Sequence, residues 1–159
     1  MSLRSTARRL VSSVTGRRRG GGDRSGGRRG GPAPDAIRIA YTPDLDGEPD
    51  PGEVVWTWVA YEDDPSQGKD RPVVVIGSLG ADLAVVPLSS RDHDGRRDAA
   101  EWVPVGTGAW DGRQRPSYAD TGRVLRVTAA DVRREGAQLG RDRFDDVVAA
   151  IRRRHPTTG

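Results

Sequence analysis

The residues best suited to chemistry are an arginine, a serine and a histidine near the middle of the chain. Arg71 precedes an apolar run, and a guanidinium stays charged while it binds two phosphate oxygens at once. Ser89 ends the next apolar run, and its hydroxyl can both donate and accept a hydrogen bond. His93 follows in a charged loop, and an imidazole titrates near neutrality, which suits proton transfer. These residue types predict an anion-binding site; the alternatives are a surface arginine, a loop-stabilising serine and a solvated histidine.

Other arrangements of chemistry-bearing residues are not supported by the sequence. His93 and His155 are too few and too far apart along the chain for a metal site. Ser89, His93 and Asp94 do not have the spacing of a hydrolase triad. The glycines at 20–31 do not lie between a strand and a helix, so they form no phosphate-binding loop. We therefore expect neither a metal nor another cofactor.

Charge is unevenly distributed along the 159 residues, a length that predicts one domain with tails. Through Pro34 there are nine arginines against one acid, Asp23, which gives that segment a formal charge of +8. Since the whole chain carries +3, the remainder carries −5. A basic tail is typical of proteins that bind polyanions. A solubilising tail or a wrongly assigned start is the alternative.

Composition divides the chain into a tail, a linker and a folded part. Residues 1–34 are predicted to be disordered, because their Gly, Arg and Ser tract cannot bury enough apolar surface. Residues 35–51 are predicted to be a Pro/Asp/Gly-rich linker with one short extended piece at 37–41. No cysteine is present, which excludes disulfides and suits a reducing cytoplasm. No apolar run approaches the roughly 18 residues that cross a bilayer.

The folded part is predicted to be mainly β. Short runs rich in Val, Trp and Tyr alternate with Gly, Pro and Asp, which is typical of strands joined by loops. The predicted strands are 53–61, 71–76, 82–88, 101–105 and 123–127, with a polar loop at 62–70, a turn at 77–80 and a charged loop at 89–100. A short helical turn is predicted at 129–133.

A C-terminal helix is predicted from its spacing of apolar residues. Phe144, Val147, Val148 and Ile151 fall on one face, and Asp142 is a candidate N-cap. Several short strands followed by one amphipathic helix predict a small β-barrel capped by that helix.

Three segments in order resemble the MazF/PemK toxin family, an actinobacterial-type branch in particular. Residues 51–56, Pro-Gly-Glu-Val-Val-Trp, resemble the family's opening strand. Residues 67–76 resemble its arginine-proline pair entering an apolar strand, here Arg71-Pro72. Residues 86–90 resemble a third strand that ends in a serine pair, followed by Arg-Asp-His-Asp. The resemblance covers about 52–155 and implies an SH3-like barrel of the CcdB/MazF type.

The resemblance also implies a function. The family is one of homodimeric toxins that inhibit growth by cleaving single-stranded RNA, such as mRNA, without a metal. The ribose 2′-hydroxyl attacks its own phosphorus and leaves a 2′,3′-cyclic phosphate. A cognate antitoxin is the implied partner, with possible DNA contact in the toxin–antitoxin complex. A cytoplasmic location and no membrane contact are expected.

The resemblance implies catalytic roles for Arg71, which would stabilise the charged transition state, and for Ser89, which would contact the phosphate. One departure is Ser66, where many members carry an acid that is a candidate base. The possible substitutes are Asp70, His93 and the loop acids Glu62, Asp63 and Asp64. The missing acid also favours an alternative, a weakened or inactive barrel that binds RNA, DNA or the antitoxin.

Further residues are candidates for nucleic-acid contact. They are Gln67, Lys69, Ser90, Arg91, Trp110 and Ser117. Trp110 lies in a Gly-rich loop and is the predicted base-stacking residue. Trp56 and Trp58 point to the same face of their strand, and either one, if exposed, would be a stacking platform. Gly122 is a second departure, because relatives tend to have a polar residue there. The basic tail is a hypothetical RNA anchor.

Overall fold

The structure is a computed structural model that describes residues 36–91 and 99–159, without the side chains of 134–136. The predicted tail at 1–34 and the candidate His93 lie outside the described residues. The elements are the strands β1 (Ile37–Ile39), β2 (Glu53–Ala60), β3 (Gly68–Leu79), β4 (Asp82–Ser89), β5 (Trp102–Gly106), β6 (Ser117–Asp120), β7 (Leu125–Val127), β8 (Arg134–Gln138) and β9 (Thr157–Thr158), the helix α1 (Arg141–Arg154), and two short 3-10 helices, Ala99–Glu101 and Ala129–Asp131.

The described strands form one curled sheet, a half-barrel, with β3 at its centre. β3 pairs antiparallel with β2 on one side and β4 on the other, and β8 extends the sheet beyond β2. β4 changes partner along its length. Leu83–Val85 pair with β7, whereas Leu88 and Ser89 pair with β6. This change of partner curls the sheet and separates the end of β4 from the start of β3.

β3 is longer than the predicted strand 71–76 at both ends. It begins at Gly68, because the polar residues 68–70 pair with 58–60 of β2. It ends at Leu79, so the predicted turn at 77–80 is reduced to Gly80 and its successor. Cross-strand hydrogen bonds therefore keep both ends in the strand, although their composition is typical of loops.

The segment predicted as a linker contributes to the sheet. Ile37 is buried in the core, and β1 pairs with β3 on one side and with β9 on the other. The Tyr41 ring covers Gly52, whose φ of +103° suits glycine, and a Cβ there would lie 2.8 Å from that ring. Tyr41 also donates a 2.7 Å hydrogen bond to the carbonyl oxygen of Leu139. These contacts attach residues 36–52 to the start of β2.

The core has two parts, on the two faces of the sheet. The larger part contains Val54, Ile76 and Val86 from the strands and the apolar face of α1. The predicted helical stripe is confirmed, since its four apolar residues are buried. The predicted cap is wrong: Gly140 is the N-cap residue, with no side-chain hydrogen bond, and Asp142 lies inside the helix. The smaller part is a valine cluster that includes Val55, Val73 and Val85.

Candidate active site

A cleft of about 680 Å³ opens where β3 and β4 separate. Their pairing ends at Val73 and Pro87, and beyond that point β4 turns to pair with β6. The walls are formed by the ends of β2, β3, β4 and β6 and by the loops near them. The residues that line the cleft include Arg71, Ser89, Asp120 and Arg123. Three separate strands and the loop that follows β6 therefore position polar side chains around one space.

Arg71 is the half-buried centre of this cleft. Burial, followed by the charge of Arg123, lowers the pKa of its guanidinium below the ordinary value. Its Nε is buried and has no hydrogen-bond partner among the described residues. A buried unpaired donor costs stability, on the order of 1–3 kcal/mol. An anion in the cleft would satisfy both the donor and the charge, which makes Arg71 the residue of the site best placed to meet one.

Arg123 is a second cation of the site that the sequence analysis did not assign to it. Its side chain is only 19% exposed, and its Nε lies 3.5 Å from Oε2 of Glu62. Its Nη2 donates a 2.8 Å hydrogen bond to the carbonyl oxygen of Ala60. These contacts hold the Arg123 guanidinium in the wall of the cleft, close enough to Arg71 for its charge to lower the pKa of Arg71.

Asp120 is an acid of the site that the sequence analysis also missed. It ends β6, opposite Trp102 of β5. Burial is the main cause that raises its pKa to about 6, with Glu62 adding to the rise, while the Gly122 N–H and Arg123 oppose it. A carboxyl that titrates near neutrality can accept and return a proton at physiological pH. Asp120 is therefore a candidate for the acid–base group that the Ser66 departure had left open.

Gly122 keeps the space beside Asp120 clear. Its N–H donates a 3.2 Å hydrogen bond to Oδ1 of Asp120. A Cβ at Gly122 would collide with the carboxylate of Glu101, so a larger residue would displace that side chain. The departure at Gly122 thus has a local packing reason, next to the acid of the site.

Ser89 lies in the cleft at the end of β4, opposite Tyr118 of β6. Its Oγ accepts a 3.0 Å hydrogen bond from the N–H of Arg91, which stabilises the turn that follows the strand. A hydroxyl that accepts one bond can still donate its own proton. Ser90 and Arg91 are exposed and also line the cleft. The loop-stabilising contact is thus present, and it leaves Ser89 able to contact a phosphate.

The acids predicted to replace the one missing at Ser66 differ in whether they line the cleft. Asp70 lines the cleft, but its Oδ1 lies 3.6 Å from Nε of Arg133. Glu62 and Asp63 line the cleft as well. Asp64 does not line the cleft; its Oδ1 accepts a 2.6 Å hydrogen bond from the hydroxyl of Ser66 in the loop.

Lys69 and Gln67, both predicted to contact nucleic acid, differ in whether they line the cleft. Lys69 is exposed and lines the cleft. Gln67 is exposed too, but it does not line the cleft, and its carbonyl oxygen accepts a 2.9 Å hydrogen bond from the N–H of Tyr61. Lys69 is therefore the better placed of the two to meet a ligand.

Trp110 is a core residue and not an exposed platform. It is 4% exposed, and its Nε1 donates a 3.1 Å hydrogen bond to Oγ of Ser117, which is 3% exposed. Base stacking needs an open ring face, so this burial argues against the stacking role predicted for Trp110 and the contact role predicted for Ser117. The pair instead stabilises the wall of the cleft between β5 and β6.

The wall that carries Trp110 also holds a compensated charge pair. Nε of Arg115 lies 2.8 Å from Oδ2 of Asp111, and that hydrogen bond is the main cause that lowers the pKa of Asp111. Asp111 is buried. The cation of this wall is thus engaged by a neighbouring acid.

Two features are absent from residues 36–91 and 99–159. No helix there is long and apolar enough to cross a bilayer. No group of three or more His, Asp or Glu side chains is arranged there to hold a metal ion.

Solved structures similar to this chain include toxins. The Mycobacterium tuberculosis toxin MazF-mt6 has 20% sequence identity and a TM-score of 0.44, over 62% of this chain and 91% of that chain. The MazE–MazF structure from Deinococcus radiodurans has 18% identity and a TM-score of 0.47, over 67% and 94%. A third structure, an Mtb toxin, has 22% identity and a TM-score of 0.41, over 52% and 90%. A comparison with curated proteins gave no match.

A family model provides the decisive comparison. It describes a PemK-like, MazF-like toxin of type II toxin–antitoxin systems and matches residues 50–154, well over half of the chain. The matched segment runs from just before β2 to the end of α1 and includes every strand that lines the cleft. The resemblance predicted from three sequence segments is therefore confirmed, and the chain belongs to the PemK/MazF-like toxin family.

Proposed function

We propose that this chain is the toxin of a type II toxin–antitoxin pair and a metal-independent endoribonuclease that cleaves single-stranded RNA. The observation that carries the proposal is the state of Arg71. Its guanidinium lies in the cleft, its Nε has no partner among the described residues, and burial lowers its pKa. Membership of the toxin family supports the same conclusion.

The proposed reaction is an internal phosphoryl transfer. The ribose 2′-oxygen attacks the adjacent phosphorus while the bond from phosphorus to the next 5′-oxygen breaks. The products are a 2′,3′-cyclic phosphate and a 5′-hydroxyl. Negative charge grows on the non-bridging oxygens, where the fixed charges of Arg71 and Arg123 stabilise the transition state. Ser89 donates a hydrogen bond to one of those oxygens.

Two protons move in this reaction. Asp120 accepts the proton of the 2′-hydroxyl, because a carboxyl with a pKa of about 6 is mostly ionised at neutral pH and still basic enough to react. The leaving 5′-oxygen takes up a proton. Arg71, whose pKa is lowered, and His93, which lies outside the described residues, are the candidate donors. Asp70 is the second candidate base, since it also lines the cleft.

The proposed partners follow from the family. A cognate antitoxin would occupy the cleft and block RNA, the toxin would act as a homodimer in the cytoplasm, and the complex could contact DNA. The alternative function is a binding module without catalysis. Its supporting observations are the absence of an acid at Ser66 and the engagement of Asp70 with Arg133.

One experiment separates these functions. The purified full chain is incubated, with EDTA, with a mixed-sequence single-stranded RNA and with DNA of the same sequence. We expect cleavage of RNA alone, with cyclic-phosphate and 5′-hydroxyl ends, because DNA lacks the attacking group. RNA binding without cleavage by folded protein would favour the binding module. Neither binding nor cleavage would refute both proposals.

A further inference from the structure

We propose that Trp58 forms a base-stacking subsite at the outer end of the cleft; the proposal rests on the RNA-cleaving function proposed above. Trp58 is 46% exposed, although it lies in the middle of the long strand β2. Leu45 is the other large hydrophobic residue exposed in the described part of the chain, and it lies in the loop before β2. An exposed indole in a regular strand costs hydrophobic free energy unless it contacts a ligand.

The Trp58 ring is held in place by its own sheet. In the pairing of β2 with β3, Trp58 lies opposite Asp70, and Ala60 lies opposite Gly68. A Cβ at Gly68 would lie 2.8 Å from Cζ2 of Trp58, so the ring packs directly against the glycine. A ring that is fixed on one side and open on the other loses little entropy when a base stacks on it.

The position of Trp58 connects it to the cleft. Opposite residues of an antiparallel pair share a face, so Trp58 is on the face of Asp70, which lines the cleft. Trp56 is on that face too and also lines the cleft, and two residues of strand separate it from Trp58 by about 7 Å. A nucleotide bound in the cleft beside Trp56 and Asp70 can therefore reach Trp58.

The chemistry around Trp58 favours a nucleic acid over an apolar peptide. Charged side chains lie near it: Asp70 is opposite Trp58, and Nε of Arg133 lies 3.6 Å from Oδ1 of Asp70. The side chain of Arg133 is 54% exposed. A cation near an aromatic ring can bind a phosphate of the strand while the ring stacks on a base, whereas an apolar segment would need a continuous apolar surface.

The test compares Trp58→Ala and Trp58→Phe with a matched control, Leu45→Ala, which removes another exposed apolar side chain. The probe is a 2′-O-methylated single-stranded RNA, which cannot be cleaved, so binding is measured without catalysis. Trp58→Ala should weaken binding about 5- to 150-fold, Trp58→Phe should retain most of it, and Leu45→Ala should have no effect. Tryptophan fluorescence should be quenched on binding, with a smaller amplitude in Trp58→Phe.

The outcomes are distinguishable. Wild-type binding that Trp58→Ala leaves unchanged, with equal quenching in Trp58→Phe, would refute the stacking subsite and leave the ribonuclease proposal intact. Wild type that neither binds nor cleaves RNA would refute the ribonuclease proposal first. Loss of antitoxin binding in Trp58→Ala, with RNA affinity unchanged, would assign the ring to a protein interface and refute the subsite. Unchanged thermal unfolding shows that the variants are folded.

Discussion

Arg123 and Arg71 face the same cleft, and the positive charge of Arg123 adds to burial in lowering the pKa of Arg71. Like charges repel, so their approach must be maintained by other contacts. The hydrogen bond from Arg123 to Ala60 and the ion pair with Glu62 provide them. The result is a preorganised pair of guanidinium groups whose repulsion an anion bound between them would decrease.

Arg123→Gln should weaken both anion binding and RNA cleavage. A lost charge-assisted hydrogen bond costs about 1.5–3 kcal/mol, so RNA affinity should fall about 10- to 150-fold. Inorganic phosphate should raise the melting temperature of the wild type more than that of the variant. The matched control is Arg126→Gln, because Arg126 pairs with Asp82 and does not line the cleft. Equal phosphate-induced shifts in both variants would contradict this account.

Asp120→Asn should remove the pH dependence of cleavage near pH 6. Asp120 acts as a base only when it is ionised, so the wild-type rate should rise with pH through its pKa of about 6 and then level off. The variant should be slower by about 10²- to 10⁴-fold and show no such rise. A full pH profile of single-turnover cleavage measures this. A variant that retains the wild-type profile would assign the base role elsewhere, with Asp70→Asn as the next comparison.

Asp120→Asn should raise the stability of the folded chain at high pH, although it lowers the cleavage rate. The folded-state pKa of Asp120 is raised above 3.8, so the folded chain favours the protonated carboxyl. That stabilisation is fully present below about pH 4 and is lost as pH rises through about 6. At pH 8 the Asn variant should therefore unfold at a higher temperature than the wild type, and at pH 4 the difference should be smaller. A lower melting temperature at pH 8 would show that the carboxylate stabilises the fold.

Glu53 should be a stability residue and not a catalytic one. It is fully buried, and its carboxylate accepts hydrogen bonds from the N–H groups of Asp44 (2.9 Å) and Asp50 (3.3 Å). Glu53→Ala leaves these donors without their acceptor, at a cost of about 2–5 kcal/mol. Denaturant unfolding should show this loss, whereas Glu48→Ala, an exposed neighbour, should change little. A Glu53 variant of wild-type stability would contradict the structure of this loop.

Ser117→Ala should destabilise the wall of the cleft. The substitution removes the acceptor of the buried Trp110 indole N–H, and an unpaired buried donor costs about 1–3 kcal/mol. The melting temperature should fall, while RNA affinity well below that temperature should stay near the wild-type value. A large loss of RNA affinity at unchanged stability would restore the contact role that the sequence suggested for Ser117.

The sequence predicts the long elements well, because their composition and their pairing agree. The valine-rich β3 and β4 and the apolar stripe of α1 are found where expected, within a few residues. β6 and β8 were not predicted. β6 has only four residues, and β8 has the sequence Arg-Glu-Gly-Ala-Gln, which has little local strand preference. Pairing with β4, β5 and β2 stabilises them, and a sequence does not display those partners.

The same reason explains what the sequence analysis missed in the site. Asp120 ends the short strand β6 and Arg123 follows it, and the pairing of β6 with β4 brings them to the cleft that Ser89 lines. The buried Ser117 and Ala119 alternate with the less buried Tyr118 and Asp120, a weak signal over four residues. Arg71 was predictable because the family motif names it directly.

The central claim is that Arg71 carries the cleavage of RNA. Its most direct test is the single-turnover cleavage rate of a mixed-sequence single-stranded RNA, with EDTA, for wild type, Arg71→Ala, Arg71→Lys and the surface control Arg152→Ala. We expect Arg71→Ala to lose at least about 10²-fold. Arg71→Lys should recover only part of that rate, because it keeps the charge and loses the two-pronged geometry, and Arg152→Ala should match the wild type. A folded Arg71→Ala protein that cleaves at the wild-type rate would contradict the account.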